Sequence, residues 1–154
     1  MLTIRRFQKG DEEILSVMIR RTLREVNYTS PKSELDYLIP HYSPETMVEL
    51  SETGHTYVLE EDGQIIGSGT VLPDGETEAE IVAAFLSPES IGKGYGRELF
   101  EALEADELAA KAQRVWLTSS DMALGFYEHM GWVNPNGPRA RAGEDNLLYM
   151  EKRK

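Results

Sequence analysis

The feature that most constrains this chain is a glycine-rich run, residues 87–98, between an apolar strand-like segment and a helix-like one. Three alternate positions in the run are Gly92, Gly94 and Gly96. Glycine lets the backbone turn sharply and approach a ligand, and the first N–H groups of a helix have no partner within that helix. The run therefore predicts an anion-binding turn in which successive amides are available to phosphate oxygens.

Spacing restricts the kind of phosphate ligand that this turn suits. A P-loop requires Ser or Thr directly after its lysine, whereas Gly94 follows Lys93. A dinucleotide fingerprint requires another glycine three residues after Gly94, whereas Arg97 stands there. The run therefore matches neither of these two phosphate-binding motifs.

Two segments of the chain are similar to the motifs of a known enzyme family. Residues 79–86, AEIVAAFL, together with the glycine run, resemble motif A of the GNAT superfamily, the N-acetyltransferases that use acetyl-CoA. Residues 120–132, SDMALGFYEHMGW, look like motif B of that superfamily, commonly Asn-x-x-Ala-x-x-Phe-Tyr-x-x-x-Gly-Phe. The resemblance is close over residues 55–134 and extends elsewhere only to the order of the elements.

The composition agrees with a single domain, residues 1–154, and restricts the classes of partner that it could bind. The 16 basic and 27 acidic residues give a net charge of -11, which argues against non-specific binding to nucleic acid or to an anionic membrane and favours a cationic acceptor. The absence of cysteine excludes disulfides and thiolate chemistry. The amino terminus lacks the apolar core of a signal peptide, so we expect a cytoplasmic protein with no membrane segment.

Hydrophobic periodicity predicts the order of the elements. The predicted helices cover residues 11–26, 34–38 (a short one), 44–50, 97–112 and 122–129. The predicted strands cover residues 2–6, 56–60, 65–72, 78–86, 115–118, 132–133 and 147–150, the last two forming a hairpin around residues 134–143. The resulting fold class is α/β, or α+β by some schemes: a mixed, mostly antiparallel sheet of about seven strands with a central splay, flanked by about four helices.

The resemblance implies how acetyl-CoA is held as cosubstrate. The pantetheine arm is expected in the splay like an added strand, and the pyrophosphate on the glycine-run amides, helped by two basic side chains. The implied cofactor-binding residues are Phe85, Leu86, Gly92, Lys93, Gly94, Tyr95, Gly96, Arg97 and Ser120. Two positions depart from the family pattern: Ile91 replaces the usual Arg or Gln, and Ser120 replaces the motif B asparagine. Tyr95 suits packing as well as ligand contact.

Two residues are implied to be catalytic. Tyr127 stands at the position of the motif B tyrosine, which in many relatives protonates the departing thiolate. Alternatively, Tyr127 is an aromatic residue of the hydrophobic core. Glu80 stands where histone acetyltransferase relatives carry a catalytic glutamate, so it is the first candidate for the general base. Alternatively, Glu80 is only one of several acidic residues on a solvated strand face. The other candidates for the general base are His41, His55 and His129. No spacing of histidines and carboxylates predicts a metal site.

The sequence thus predicts an N-acetyltransferase in which a primary amine of a small molecule or peptide attacks acetyl-CoA directly in a ternary complex. Two alternatives stay open: transfer from another acyl-CoA, and a non-catalytic CoA-binding or regulatory module. The acceptor pocket is expected from residues 28–50 and 134–143, and the resemblance admits a homodimer. The acceptor-side candidates are Tyr28, Glu34, Asp36, Tyr37 and Tyr42.

Overall fold

The computed structural model describes residues 1–27 and 30–154, so Tyr28 lies outside the described residues. In chain order the elements are β1 (Leu2–Arg6), α1 (Glu12–Glu25), α2 (Lys32–His41), α3 (Pro44–Thr53), β2 (His55–Glu61), β3 (Gln64–Asp74), β4 (Glu78–Leu86), a 3-10 turn (Pro88–Ser90), α4 (Tyr95–Ala105), α5 (Glu107–Lys111), β5 (Arg114–Ser119), α6 (Leu124–His129) and β6 (Leu148–Arg153). No helix in this described part of the chain is long and apolar enough to cross a bilayer.

The six strands form one sheet in chain order, β1-β2-β3-β4-β5-β6. Neighbouring strands are antiparallel except β4 and β5, which are parallel because α4 and α5 form the crossover between them. The predicted mixed, mostly antiparallel sheet is therefore confirmed.

A splay opens in the middle of the sheet, as predicted. The ladder between β4 and β5 covers three positions and ends at the pair Glu80–Trp116, although β4 runs on to Leu86. In the same region β4 carries a bulge. Ser68 and Thr70 of β3 are two residues apart, but their partners on β4, Phe85 and Val82, are three residues apart. Ala83 lies within the bulge at a φ of 53°, a conformation uncommon for alanine. A bulge increases local twist, which separates β4 from β5 here.

The predicted strand at residues 132–133 is reduced to a single bridge between Val133 and Glu151, so the sheet has six strands. The chain turns away directly afterwards, since Pro135 has no N–H to donate to a ladder. Asn134 fixes this turn: its side-chain amide donates to the Ala140 carbonyl at 2.7 Å and its side-chain oxygen accepts from the Asn136 N–H at 2.9 Å.

The helix predicted over residues 97–112 is two helices, because the chain leaves the helical conformation at Asp106 (ψ 144°). The Asp106 carboxylate caps α5 by accepting from the Leu108 N–H at 2.9 Å. The first of these helices begins at Tyr95 rather than at residue 97. The last predicted helix begins at Leu124 rather than at residue 122, and Gly131 follows it at a φ of 94°, as its predicted C-cap requires.

Two hydrophobic cores cover the two faces of the sheet. On one face α1, α2 and α3 pack over β2 and the end of β4, and α1 buries a stripe at helical spacing: Leu15, Met18, Ile19, Thr22 and Leu23. On the other face α4, α5 and α6 pack over β3, β4 and β5. We call these the α1–α3 face and the α4–α6 face.

Candidate active site

The glycine run forms a tight turn that leads into α4. Gly92 and Gly94 have φ values of 86° and 85°, which L-residues rarely adopt, so the turn conformation itself requires glycine at both positions. Gly96 has a different role, because a Cβ there would lie 3.1 Å from the Phe126 ring and helix α4 could not pack as closely on α6. The first N–H groups of α4 project from this turn without helical acceptors. The arrangement can bind an anion.

The side chains around the turn leave it accessible and place two basic groups beside it. Lys93 and Arg97 are exposed, and within the described residues neither forms an ion pair. Ile91 is 45% exposed and adds no charge. Tyr95 donates a hydrogen bond from its hydroxyl to Glu61, which ties the start of α4 to the β2–β3 hairpin. This contact indicates a structural role for the Tyr95 hydroxyl.

The residues that lead into the turn are hydrogen-bonded to the sheet and to α1. Ser87 donates from its N–H to the Ile66 carbonyl at 2.7 Å, and its hydroxyl lies 2.7 Å from that of Ser90. Thr22 of α1 donates from its hydroxyl to the Leu86 carbonyl at 2.7 Å. The end of β4 is thus held in place where the splay opens.

Phe85 and Leu86 direct their side chains to opposite faces at the mouth of the splay. Phe85 packs into the α1–α3 core, where its ring meets Tyr42 edge-on at 5.4 Å. Leu86 packs into the α4–α6 core. Both residues pair with β3, while the β4 edge that faces β5 has no strand partner beyond Glu80 in the described chain. That open edge can accept an extended ligand by β-augmentation.

Glu80 lies at the last paired position before the splay, half-buried on the α1–α3 face. Burial, followed by the charge of Asp74, raises the pKa of its carboxyl. No described residue hydrogen-bonds to the carboxylate or forms an ion pair with it. By contrast, Glu78 on the same strand accepts from Arg114 at 2.8 Å. The raised pKa makes Glu80 a stronger base than an ordinary glutamate, and its oxygens are available to a ligand.

Asp74 and two aromatic side chains form a wall next to Glu80. The Trp116 indole N–H donates to Asp74 at 2.8 Å, and the Trp116 and Tyr149 ring centroids are 5.9 Å apart. Glu80 and Asp145 both contribute to the raised pKa of Tyr149, after burial. Sequence reasoning missed Asp74, Trp116 and Tyr149. Strand alternation could have found Trp116, since parallel pairing places it beside Glu80.

Tyr127 lies in the α4–α6 core, 8% exposed, within an aromatic cluster with Phe100, Phe126 and Trp132. Burial raises the pKa of its phenol, so the group stays protonated at neutral pH. Leu86 and Ala84 pack against the same cluster, which brings Tyr127 into one hydrophobic unit with the end of β4. Its role as an acid stays a prediction.

Ser120 stabilises the turn before α6. Its hydroxyl accepts from the Ala123 N–H at 3.2 Å, three residues on.

The three histidines occupy three different surroundings. His55 places Nδ1 2.8 Å from Asp106 on the α4–α6 face, away from Glu80. His129 is exposed on α6. His41 is exposed at the end of α2, stacked on Tyr37 at 5.5 Å and edge-on to Tyr42 at 5.0 Å. Of the rival bases, only His41 lies on the side of the sheet that carries Glu80.

Within the described residues no group of three or more His, Asp or Glu side chains is arranged to hold a metal ion.

Comparison with known proteins gives one consistent result. The model of the acetyltransferase (GNAT) family matches residues 18–132. An uncharacterized N-acetyltransferase of Escherichia coli (strain K12), YjgM, is 27% identical over 139 residues, covering 84% of this chain and 80% of its own. The PaiA N-acetyltransferase of Thermoplasma acidophilum, crystallised with coenzyme A, superposes with a TM-score of 0.79 at 20% identity, covering 100% of this chain and 99% of its own.

A GNAT acetyltransferase of Brucella melitensis in complex with acetyl-CoA has the same fold, with a TM-score of 0.68 and 19% identity over 99% of this chain and 88% of its own. The match of the family model extends over well more than half of the chain and includes both the glycine turn and α6. The protein belongs to the acetyltransferase (GNAT) family.

Proposed function

We propose that the protein transfers the acetyl group of acetyl-CoA to a primary amine of a small molecule or peptide by direct attack in a ternary complex. The observation that carries the proposal is the position of Glu80: an unpartnered carboxylate with a raised pKa stands where β4 and β5 separate. The anion-binding turn lies farther along the same chain segment. One end of the splay thus suits a phosphate-bearing cosubstrate and the other a basic acceptor.

The residues at the turn and splay fit acetyl-CoA. Amides from residue 92 to residue 97 would bind the pyrophosphate, with Lys93 and Arg97 adding charge where Ile91 adds none. The open edge of β4 near Phe85 would pair with the pantetheine arm. The structural relatives crystallised with coenzyme A and acetyl-CoA support this assignment.

The acceptor side favours a cationic amine. Glu80 pairs in register with Trp116, Asp74 accepts from the indole N–H at the edge of that ring, and Tyr149 lies next to it. Aromatic faces attract cations, and the Arg114 guanidinium already lies 5.7 Å from the Trp116 ring centroid. The net charge of -11 raises the local concentration of cations around the protein. Glu80, half-buried in this wall with a raised pKa, would be the group that takes the proton of an amine bound there.

Glu80 and Tyr127 would divide the proton transfers. An amine with an ordinary pKa of about 10.4 is about 0.04% neutral at pH 7, so a base is needed to release the nucleophile, and Glu80 would take this proton directly or through water. The Tyr127 phenol, which stays protonated, would give its proton to the departing thiolate. The chain has no cysteine, so no thioester to the enzyme can form.

The test is release of free thiol from acetyl-CoA in the presence of spermidine, kanamycin, an amino acid or a short peptide. We expect at least one amine to give turnover and an acetylated product detectable by mass spectrometry. Propionyl-CoA and succinyl-CoA in the same assay test the alternative acyl donors. Binding of coenzyme A without turnover on any amine would favour the non-catalytic module.

The Gly94→Val variant tests the binding turn separately. It places a β-branched residue at a φ of 85°, so calorimetry should show weakened binding of coenzyme A. The matched control is Gly75→Val, which also replaces a positive-φ glycine (67°) but lies in the β3–β4 hairpin. An unchanged affinity in a folded Gly94→Val protein would place the pyrophosphate elsewhere.

A further inference from the structure

Tyr42 connects the two halves of the proposed site. It lies between α2 and α3 on the α1–α3 face, and its ring meets Phe85, at the mouth of the splay, edge-on at 5.4 Å. The charge of Glu80 acts on the Tyr42 phenol and, after burial, contributes to raising its pKa to about 12. Tyr42 therefore extends from the cosubstrate groove toward the candidate base.

The main chain of Tyr42 is held on both sides. Its N–H donates to the Leu38 carbonyl at 3.1 Å, and its carbonyl accepts from the buried Ser16 hydroxyl of α1 at 2.6 Å. The ring also contacts His41 at 5.0 Å. These contacts fix the position of the ring without using its hydroxyl.

The Tyr42 hydroxyl forms no hydrogen bond with any other described residue. A phenylalanine would make the same ring contacts without the cost of removing a hydroxyl from water. Tyr37, four residues before His41, differs because its side chain is 67% exposed and its hydroxyl can be hydrated. The partly buried Tyr42 hydroxyl has no protein partner, its ring is held against Phe85 at the mouth of the splay, and the charge of Glu80 reaches it, so it points to a ligand as its partner.

We propose that Tyr42 orients the acceptor amine: its phenol oxygen accepts a hydrogen bond from the amine N–H while Glu80 takes the proton that the amine loses. This inference rests on the proposed function and adds a residue that touches the acceptor. Once the ammonium has lost one proton to water through Glu80, the neutral amine has two N–H groups and one lone pair. One N–H donates to Tyr42 and the other to Glu80, so the lone pair points toward the thioester. As the N–C bond forms and the C–S bond breaks, Glu80 takes the second proton, the departing thiolate takes a proton from Tyr127, and Tyr42 keeps its own.

The test is the Tyr42→Phe variant, measured with the panel amine that gives the highest kcat/KM in the parent. Loss of one hydrogen bond to the reacting amine should lower kcat/KM for that amine about 10- to 100-fold. The KM for acetyl-CoA should stay within about twofold, because the ring contact with Phe85 is kept. The Tm should not fall, because the lost hydroxyl has no partner in the protein.

The matched control is Tyr57→Phe, which removes a tyrosine hydroxyl on the α4–α6 face that donates to Asp106 at 2.6 Å. It should lower the Tm and leave kcat/KM and the KM for acetyl-CoA close to the parent values. A lowered Tm in Tyr42→Phe with kcat/KM close to the parent would overturn the inference, since the hydroxyl would then be structural. An unchanged kcat/KM and Tm would also overturn it and leave the proposed function standing. A parent that acetylates no amine would overturn the proposed function and this inference together.

Discussion

Two carboxylates on opposite faces of the same sheet, Glu80 and Asp106, have contrasting surroundings. Asp106 is 4% exposed and accepts hydrogen bonds from the Tyr57 hydroxyl at 2.6 Å and the Leu108 N–H at 2.9 Å, with His55 Nδ1 2.8 Å away. Glu80 is half-buried beside Asp74, and no described side chain partners it.

The two pKa shifts have opposite signs for this reason. Burial acts to raise the pKa of both carboxyls, and for Glu80 the charge of Asp74 adds to it. For Asp106, hydrogen bonds from Tyr57, Leu108 and His55 outweigh burial, so its pKa lies below the ordinary value. A satisfied carboxylate stabilises the fold, whereas an unsatisfied one is available for chemistry.

The largest expected effect follows from replacing Glu80. Glu80→Gln keeps the shape of the side chain and removes its basicity, so the rate at neutral pH should fall about 10²- to 10⁴-fold. The rate should recover partly as pH rises and more of the amine loses its proton unaided. The measurement is the pH dependence of thiol release, with Glu78→Gln, next but one on the strand, as the control. A variant profile that overlays that of the parent would make His41 the next base to test.

Replacing Asp106 should affect stability instead. Asp106→Asn removes the charge that three donors surround, and the free energy of unfolding should fall by about 2–3 kcal/mol. Because the folded-state pKa of Asp106 is lowered, its contribution is present above its ordinary pKa of about 3.9 and is lost as pH falls through the lower folded-state value. Urea unfolding at pH 7 and below pH 4 should show this difference shrinking in acid.

The control for Asp106→Asn is Glu107→Gln, since Glu107 is the adjacent acid and its side chain is 79% exposed. That variant should leave stability within about 0.5 kcal/mol of the parent. If the folded Asp106→Asn protein lost turnover as strongly as Glu80→Gln, the division between scaffold and site would be wrong.

Tyr127→Phe should lower turnover about 10²-fold, because it removes a proton donor and keeps the ring in its aromatic cluster. Calorimetry should show nearly unchanged affinity for coenzyme A. Equal turnover in the variant and the parent would make Tyr127 a core residue, as its burial alone would allow.

The smallest expected effect is a gain in stability. A carboxyl with a raised folded-state pKa destabilises the fold once it ionises, so Glu80→Gln should stabilise the protein by up to about 1 kcal/mol at pH 7. The gain should shrink as pH falls below the ordinary glutamate pKa of about 4.3, where both states are protonated. Thermal unfolding at pH 7 and pH 4 measures it, and a lower Tm at pH 7 would indicate a structural partner for Glu80.

The sequence predicts the elements around the splay well because their signals are local. Alternation defines β4, and glycines at positive φ define the turn between residues 91 and 95. The resemblance to motif A and motif B adds their order in the sheet. The position of Glu80 beside the splay follows from these signals.

The break at Asp106 could not be predicted in the same way. Along the helical pattern an aspartate at this position is indistinguishable from one that faces solvent, and its partners His55 and Tyr57 are 51 and 49 residues away. The contact of Tyr42 with Phe85 has the same character, since tertiary packing alone brings a loop between two helices to the end of a strand. Side chains that are distant in the sequence and meet only in the folded protein leave no local pattern.

The most direct measurement is an NMR titration of the side-chain carboxyl carbons of Glu80 and Asp106 in the parent protein, assigned with the Glu80→Gln and Asp106→Asn variants. It requires no knowledge of the acceptor. The account predicts that Glu80 titrates above the ordinary glutamate pKa of about 4.3 and Asp106 below the ordinary aspartate pKa of about 3.9. A Glu80 carboxyl that titrates at or below its ordinary value would contradict the account, because that carboxylate would then be satisfied by the protein itself.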